Sequence, residues 1–247
     1  MSGDASHRLR TALSLLQLSA LAARPFACPI CGPSLLVRLA AQPIGVRCAR
    51  CAGSAITLAL VAVLKSVRPG FRGEAVYELS ARGPLYGFLR REVPGLTASE
   101  YFDDTPPGAR RDGVLCQDIR RLTFADGSFD VCTSTEVFEH VADDRAGFRE
   151  IRRVLRESGV MVFTVPLSSS PTTVERALEK DGKIEHLLPP EYHGDRIRGQ
   201  GRVLVFRDYG TDITERLRAQ GFADAVIDRR YEKAFLGQGC GVVVAKA

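Results

Sequence analysis

The sequence predicts an α/β protein built on a doubly wound, mostly parallel sheet, with a small cysteine-bearing module in front of it. Three observations carry this expectation. From about residue 74 onward, short apolar runs alternate with helix-like segments, the pattern of a parallel sheet covered on both faces. Ahead of it, four cysteines stand as two pairs of equal spacing, Cys28 with Cys31 in "CPIC" and Cys48 with Cys51 in "CARC". Between the two parts runs "VRPGFRG", residues 67–73, a link punctuated by proline and glycine. With 247 residues and 45% hydrophobic content, the chain is long enough to bury a full core beside a small module.

Taken in order, the first segment, residues 1–25, reads as an amphipathic helix. Its "RTALSLLQLSALAARP" is rich in leucine but broken by Ser14, Gln17 and Ser19, and so lacks the unbroken apolar centre of a signal sequence. Residues 26–54 read as a ribbon. A CxxC turn lets two sulfurs converge on one ion, and two such turns separated by sixteen residues give a closed, tetrahedral four-sulfur site for a structural zinc ion. The expected ligands are Cys28, Cys31, Cys48 and Cys51, and Gly32 and Gly53 supply the tight backbone beside them. With all four positions filled by sulfur, such a metal folds the module and does no chemistry. Residues 55–73 form a helix and linker. The run "AITLALVAVL" within them is strongly apolar but far shorter than the roughly 20 residues that cross a bilayer, so a buried helix is expected and no membrane partner. Cys116, Cys132 and Cys240 stand singly in apolar runs, as small buried hydrophobes do. Cysteine usage of this kind, without an export signal, points to a reducing compartment and a cytoplasmic protein.

In residues 74–247 the strand candidates are "AVYEL", "LTASE", "GVLCQD", "FDVCTST" and "GVMVFTVP", with helices in "DDRAGFREIRRVLRE" and "TDITERLRAQGF". The last two runs, "ADAVIDRR" and "GCGVVVAKA", have too few residues between them for a crossover helix and should pair antiparallel. Open parallel sheets bind ligands at the carboxyl ends of their strands, near the point where strand order reverses. The residues predicted there are Glu78, Glu100, Asp118 and the stretch "STEVFEH" from Ser134 to His140. Glu100 follows Glu78 by 22 residues, the usual spacing for a carboxylate that accepts both hydroxyls of a ribose. Asp118 and Ile119 make a polar and apolar pair suited to the edge and face of an adenine. The loop after Glu78 is poor in glycine: Gly83 stands alone where a dinucleotide fingerprint has three.

The stretch "VLCQDIRRLTFADGSFDVCTSTEVFEHVADDRAGFREIRRVLRESGVMVFTVP" resembles the middle of a class I S-adenosylmethionine-dependent methyltransferase (type 11-like). The resemblance is specific in these central residues and looser over the rest of 74–247. With the ribbon in front, the arrangement is similar to a bacterial subgroup whose first loop is also glycine-poor; in "ELSARGP", Ser80, Arg82 and Pro84 occupy the glycine positions. The resemblance implies a Rossmann-like methyltransferase fold with an antiparallel last strand, and S-adenosylmethionine as cofactor. That cofactor carries no phosphate, so the demand for glycine is weaker. Glu78 is then expected to meet its amino group, with Ser80, Ala81 and Gly83 letting the amino-acid tail pass and Arg82 near its carboxylate. Glu100 and Tyr101 are expected at the ribose, Asp118 and Ile119 at the base, and Ser134 and Glu136 after the fourth strand.

The acceptor is less legible. Residues 168–206 form an irregular insert after the fifth strand, where such enzymes build a substrate cover, and it carries the two candidate catalytic histidines, His186 and His193. His7 reads as solvated and His140 as ordering its loop. The preferred reading is methyl transfer to a small molecule. Residues 1–71 carry eight Lys and Arg against one acid, Asp4, which keeps open an RNA methyltransferase guided by the basic ribbon. Against it, only Phe26 offers an aromatic face near Arg47 and Arg50, and stacking platforms normally need more. A cofactor-free binding scaffold is the third reading, because the degenerate loop suits an inactive relative too.

Overall fold

The computed structural model describes residues 18–194 and 201–247. The helix expected over residues 1–25 lies outside these up to residue 17, together with His7. The remainder of that segment differs from expectation: Leu18–Ala20 make one 3-10 turn, and from Ala22 the chain is extended. Pro25 explains the change, since it disfavours helix at the residue before it and lacks an amide for the helical ladder. It is tolerated where it stands because this strand is an edge.

The strand is β1 (Ala22–Cys28), which pairs antiparallel with β2 (Gly32–Arg38), itself paired with β3 (Val46–Cys48). Gly32, at φ +79, makes the turn that returns β2 along β1. Helix α1 (Ala55–Val67) follows, capped by Ser54, whose hydroxyl accepts from the Thr57 amide. It is apolar nearly all round, as a helix covered on every side must be. On one side Leu58 and its neighbours meet Ile30, Leu36 and Val46 of the ribbon; on the other they meet Val131, Val160 and Val244 of the main sheet, in one continuous core.

The main sheet is built from β4 (Val76–Glu78), β5 (Leu96–Glu100), β6 (Arg110–Arg111), β7 (Val114–Cys116), β8 (Phe129–Thr135) and β9 (Leu155–Thr164), completed by two later strands. Helix α2 (Gly83–Glu92) links β4 to β5, and α3 (Asp144–Val154) links β8 to β9. After β9 come the short strands of the insert, then α4 (Ile213–Arg218) and the two completing strands, Asp224–Asp228 and Val242–Lys246. The last strand lies between β9 and Asp224–Asp228 and runs antiparallel to both, while β4, β5, β7, β8 and β9 are parallel. The antiparallel pairing expected of the two final runs is thus present. Helices do not fill every crossover: β5 reaches β7, and β7 reaches β8, through segments without one among the described residues.

Strand alternation divides the core. Val76, Val131, Val160 and Val162 face α1 and α2, whereas Tyr77, Cys132, Met161 and Phe163 face α3 and α4. The order of the strands reverses at β4, which has β5 on one side and β8 on the other, and this sets the crevice at their carboxyl ends.

The insert is more regular than the sequence suggested. β10 (Val174–Glu175), β11 (Ala177–Lys180), β12 (Lys183–His186), β13 (Tyr192–Gly194), β14 (Arg202–Leu204) and β15 (Arg207–Asp208) form three small antiparallel pairs, β10 with β15, β11 with β12 and β13 with β14; residues 195–200 are outside the description. Asp181 and Gly182, at φ +52 and +72, turn the β11–β12 hairpin. At the base of the insert Arg207, 2% exposed, donates to the carbonyls of Phe138, Val141 and Ala142 and to Glu175. Asp144 accepts from Arg216 and from the Tyr209 hydroxyl beside it. These bonds fasten the insert to the segment that follows β8.

Candidate active site

The ends of β4, β5, β7 and β8 open on a cavity of about 490 Å³, with the insert forming its outer wall. Ser80, Glu100, Tyr101, Asp118, Ile119 and Glu136 line it; Glu78, Ala81, Gly83 and Ser134 do not. Alternation along β4 explains Glu78, which shares the α1 and α2 side with Val76 while Tyr77 and Leu79 face the cavity. The Glu78 carboxyl is 1% exposed and accepts from the Thr133 hydroxyl. Burial pushes its pKa up to about 8, against the Thr133 bond and with help from the Glu100 charge.

Glu100 is 4% exposed and reaches back to the glycine-poor loop, accepting from the Ser80 hydroxyl at 2.9 Å and the Ala81 amide at 3.0 Å, with Arg82 Nε at 3.7 Å. The acid at the end of β5 thus holds the loop after β4. The single glycine of that loop has a backbone reason: Gly83 has φ +78 and opens α2, a conformation costly for any side chain although the space beside it is empty. Asp118 is clamped by Arg120, which donates from its side chain at 2.9 Å and from its amide at 2.9 Å. Arg120 also meets Glu179 of β11 at 2.9 Å, so the base-binding candidate and the insert are tied by one guanidinium at the cavity rim. Sequence reading missed Arg120; the signal was its place two residues after Asp118, where its amide closes an Asx turn.

After β8 the chain turns sharply. Glu136 has φ +51, rare for a residue with a side chain, and burial pushes its pKa up to about 7. Glu139 is 1% exposed, and neither of its carboxylate oxygens has a hydrogen-bond partner among the described residues. Burial, and then the charge of Glu136, hold its carboxyl well above the usual range. His140 Nδ1 lies 2.8 Å from the Leu204 carbonyl, and its Nε2 lies 3.6 Å from Glu139. His193 comes in from β13, its Nδ1 4.0 Å from Glu139 and its ring edge-on to that of His140 with centroids 5.0 Å apart. Of the two candidate histidines, the structure therefore brings His193 to the strand ends. His186 is exposed on β12, paired with Ala177, and neither His186 nor His193 lines the cavity.

The four paired cysteines converge at the far side of α1, with all four sulfurs within 4.8 Å of one another. Cys28 and Cys51 are 3.7 Å apart and Cys31 and Cys48 3.5 Å. Sulfurs placed tetrahedrally about 2.3 Å from one zinc ion are about 3.8 Å apart, so the cluster has the dimensions of that site. The Ile30 amide donates to Cys28, and Cys51 draws the Cys28 thiol down to about 5 while being itself pushed up; burial raises Cys31 to about 11. Four thiols this close cannot ionise together without a cation.

Residues 84–163 match the family model of a methyltransferase domain. Two curated relatives are demethylmenaquinone methyltransferases. That of Corynebacterium urealyticum is 33% identical over 94 residues, covering 34% of this chain and 41% of its own. That of Mycolicibacterium vanbaalenii is 41% identical over 71 residues, covering 27% and 31%. The matched segments thus span less than half the length of either relative. Among solved structures, an S-adenosylmethionine dependent methyltransferase from Mesorhizobium loti is 17% identical, with a TM-score of 0.48, over 80% of this chain and 100% of that one. No helix among the described residues is long and apolar enough to cross a membrane. Residues 84–163, which carry β5, β7, β8 and nearly all of β9, are thus similar to the methyltransferase domain of the matched family.

Proposed function

We propose that the protein transfers a methyl group from S-adenosylmethionine to a small-molecule acceptor. The observation that carries this is the meeting of Glu100, Asp118 and Ile119, from the ends of neighbouring strands, in one cavity of about 490 Å³ at the point where strand order reverses. That volume lies in the usual range for cofactor and small-ligand sites. The two relatives, named for the small molecule demethylmenaquinone, support an acceptor of that class.

When bound, the cofactor supplies an electrophilic methyl group on a sulfonium. Glu100 accepts the ribose hydroxyls, and Asp118 and Ile119 border the base, with Arg120 holding the Asp118 carboxylate in place. Ser80 and Ala81, tethered to Glu100, leave a path for the amino-acid tail. The insert excludes water and holds the acceptor in line, so that positioning supplies much of the rate. On the far side of α1, Cys28, Cys31, Cys48 and Cys51 hold one structural zinc ion, whose role is to close the ribbon.

Calorimetry with S-adenosylmethionine tests the reading. The wild type should bind it, and Glu100→Ala should lose on the order of 1.5–3 kcal/mol, the worth of hydrogen bonds to a charged, desolvated acceptor. Absence of binding to the wild type would leave the scaffold reading in its place.

A further inference from the structure

We propose that Glu139, His140 and His193 bind a divalent cation at the wall of the cavity, and that the methyl acceptor is an oxygen compound that ligates it. One oxygen of Glu139 and one nitrogen from each histidine lie within 4.8 Å of one another. Ligand atoms about 2.1 Å from a common ion are roughly 3.0–3.4 Å apart. The observed 3.6 and 4.0 Å from Glu139 to the two rings therefore need a contraction of up to about 1 Å, and the two imidazole nitrogens, within 4.8 Å of each other, one of up to about 1.8 Å.

Three further features favour a cation over an accidental cluster. First, Glu139 is 1% exposed with both oxygens lacking a hydrogen-bond partner among the described residues, and a buried carboxylate in that condition is costly until a positive group meets it. The nearest strong cation in the network, Arg207, is directed to Glu175 and to three backbone carbonyls instead. Second, the Leu204 carbonyl at 2.8 Å requires a proton on His140 Nδ1, which leaves Nε2, the nitrogen on the Glu139 side, as the one with a lone pair. A carbonyl behind the ring is how ligating histidines are usually oriented. Third, the ligands come from two elements. Glu139 and His140 follow β8 and His193 sits on β13, so the site is complete only with the insert seated on the strand ends.

Two imidazoles and one carboxylate suit zinc, manganese, iron or cobalt, and they differ in kind from the four-thiolate cluster across α1. Three protein ligands leave coordination positions open, and His140 itself lines the cavity. This inference rests on the methyl-transfer reading for its acceptor half. There, a hydroxyl bound to the cation is acidified. Its O–H bond breaks and the proton passes to water; the oxygen lone pair forms the new O–C bond as the C–S bond breaks, its electron pair returning to sulfur. His193 then serves as a ligand, in place of the base it was expected to be.

The test uses the protein as purified and cobalt(II) alone, without cofactor, so that its outcome is independent of methyl-donor binding. Titration followed by calorimetry and visible absorption should show one Co²⁺ per chain entering with weak d–d bands and no sulfur-to-metal charge transfer. His193→Ala, at a half-exposed position, should lower the affinity at least tenfold, as should Glu139→Gln, with melting temperature checked for each. Binding no tighter than millimolar in the wild type, or affinity retained in a folded His193→Ala, would overturn the site. If the site stands, methyl transfer to hydroxyl-bearing acceptors should be lost on chelation and restored by Co²⁺, and transfer to such acceptors that ignores the ion would overturn the acceptor half.

Discussion

Glu78 ends the first strand of the main sheet inside the protein, and its environment makes a pH-dependent stability legible at one residue. Its folded pKa of about 8 lies far above that of an exposed glutamate. Between those two values the folded state holds a proton that the unfolded state has released. Its contribution to stability is therefore full at acid pH, falls as pH rises, and is spent above about 8. The slope from this one group is at most about 1.4 kcal/mol per pH unit. Denaturant titrations of the ligand-free protein between pH 5 and 8 should show the decline, and Glu78→Gln should flatten it; an identical slope in the variant would contradict the assignment. The sequence placed Glu78 correctly at a strand end. Which face it took depended on pleat and on what α1 covers, and neither is written in the five residues around it.

Among the elements, those legible in the sequence were the ones set by local pattern: the apolar runs of β4, β5, β7, β8 and β9, α1 with its largely apolar surface, and the CxxC turns of the ribbon. The insert was less so. Its hairpin turn, Asp181-Gly182, is a recognisable signal, but the flanking Leu178 and Ile184 are exposed and give no alternation to mark strands. The Arg207 anchor and the Glu139–His140–His193 cluster were not legible at all, because each joins residues some fifty to seventy positions apart. The ribbon offers a prediction at this scale. It shares one core with α1 and the sheet, so loss of the proposed zinc ion should not melt it alone. Cys48→Ser should reduce bound zinc and lower a single melting transition by scanning calorimetry; a variant that keeps its full metal, or that melts the ribbon separately, would contradict this account.

For the whole molecule, described cations of the basic N-terminal part, which keeps a nucleic-acid partner open, also hold the chain together. Arg24 donates to the Ala234 carbonyl, Arg38 to those of Ala20 and Leu236, Arg47 to Ala52, Arg50 to Cys31 and Lys65 to Pro29. Two of these arginines tie the ribbon to the segment before the last strand, across some two hundred residues. The ribbon, α1 and the sheet thus form a continuous body, with the cysteine cluster on one side of α1 and the cavity at the strand ends. The most direct measurement of the central claim is a crystal structure with S-adenosylhomocysteine. The account predicts its ribose on Glu100 and its base beside Asp118 and Ile119, within the cavity under the insert; a molecule bound elsewhere, or a cavity that stays empty at saturating ligand, would contradict it.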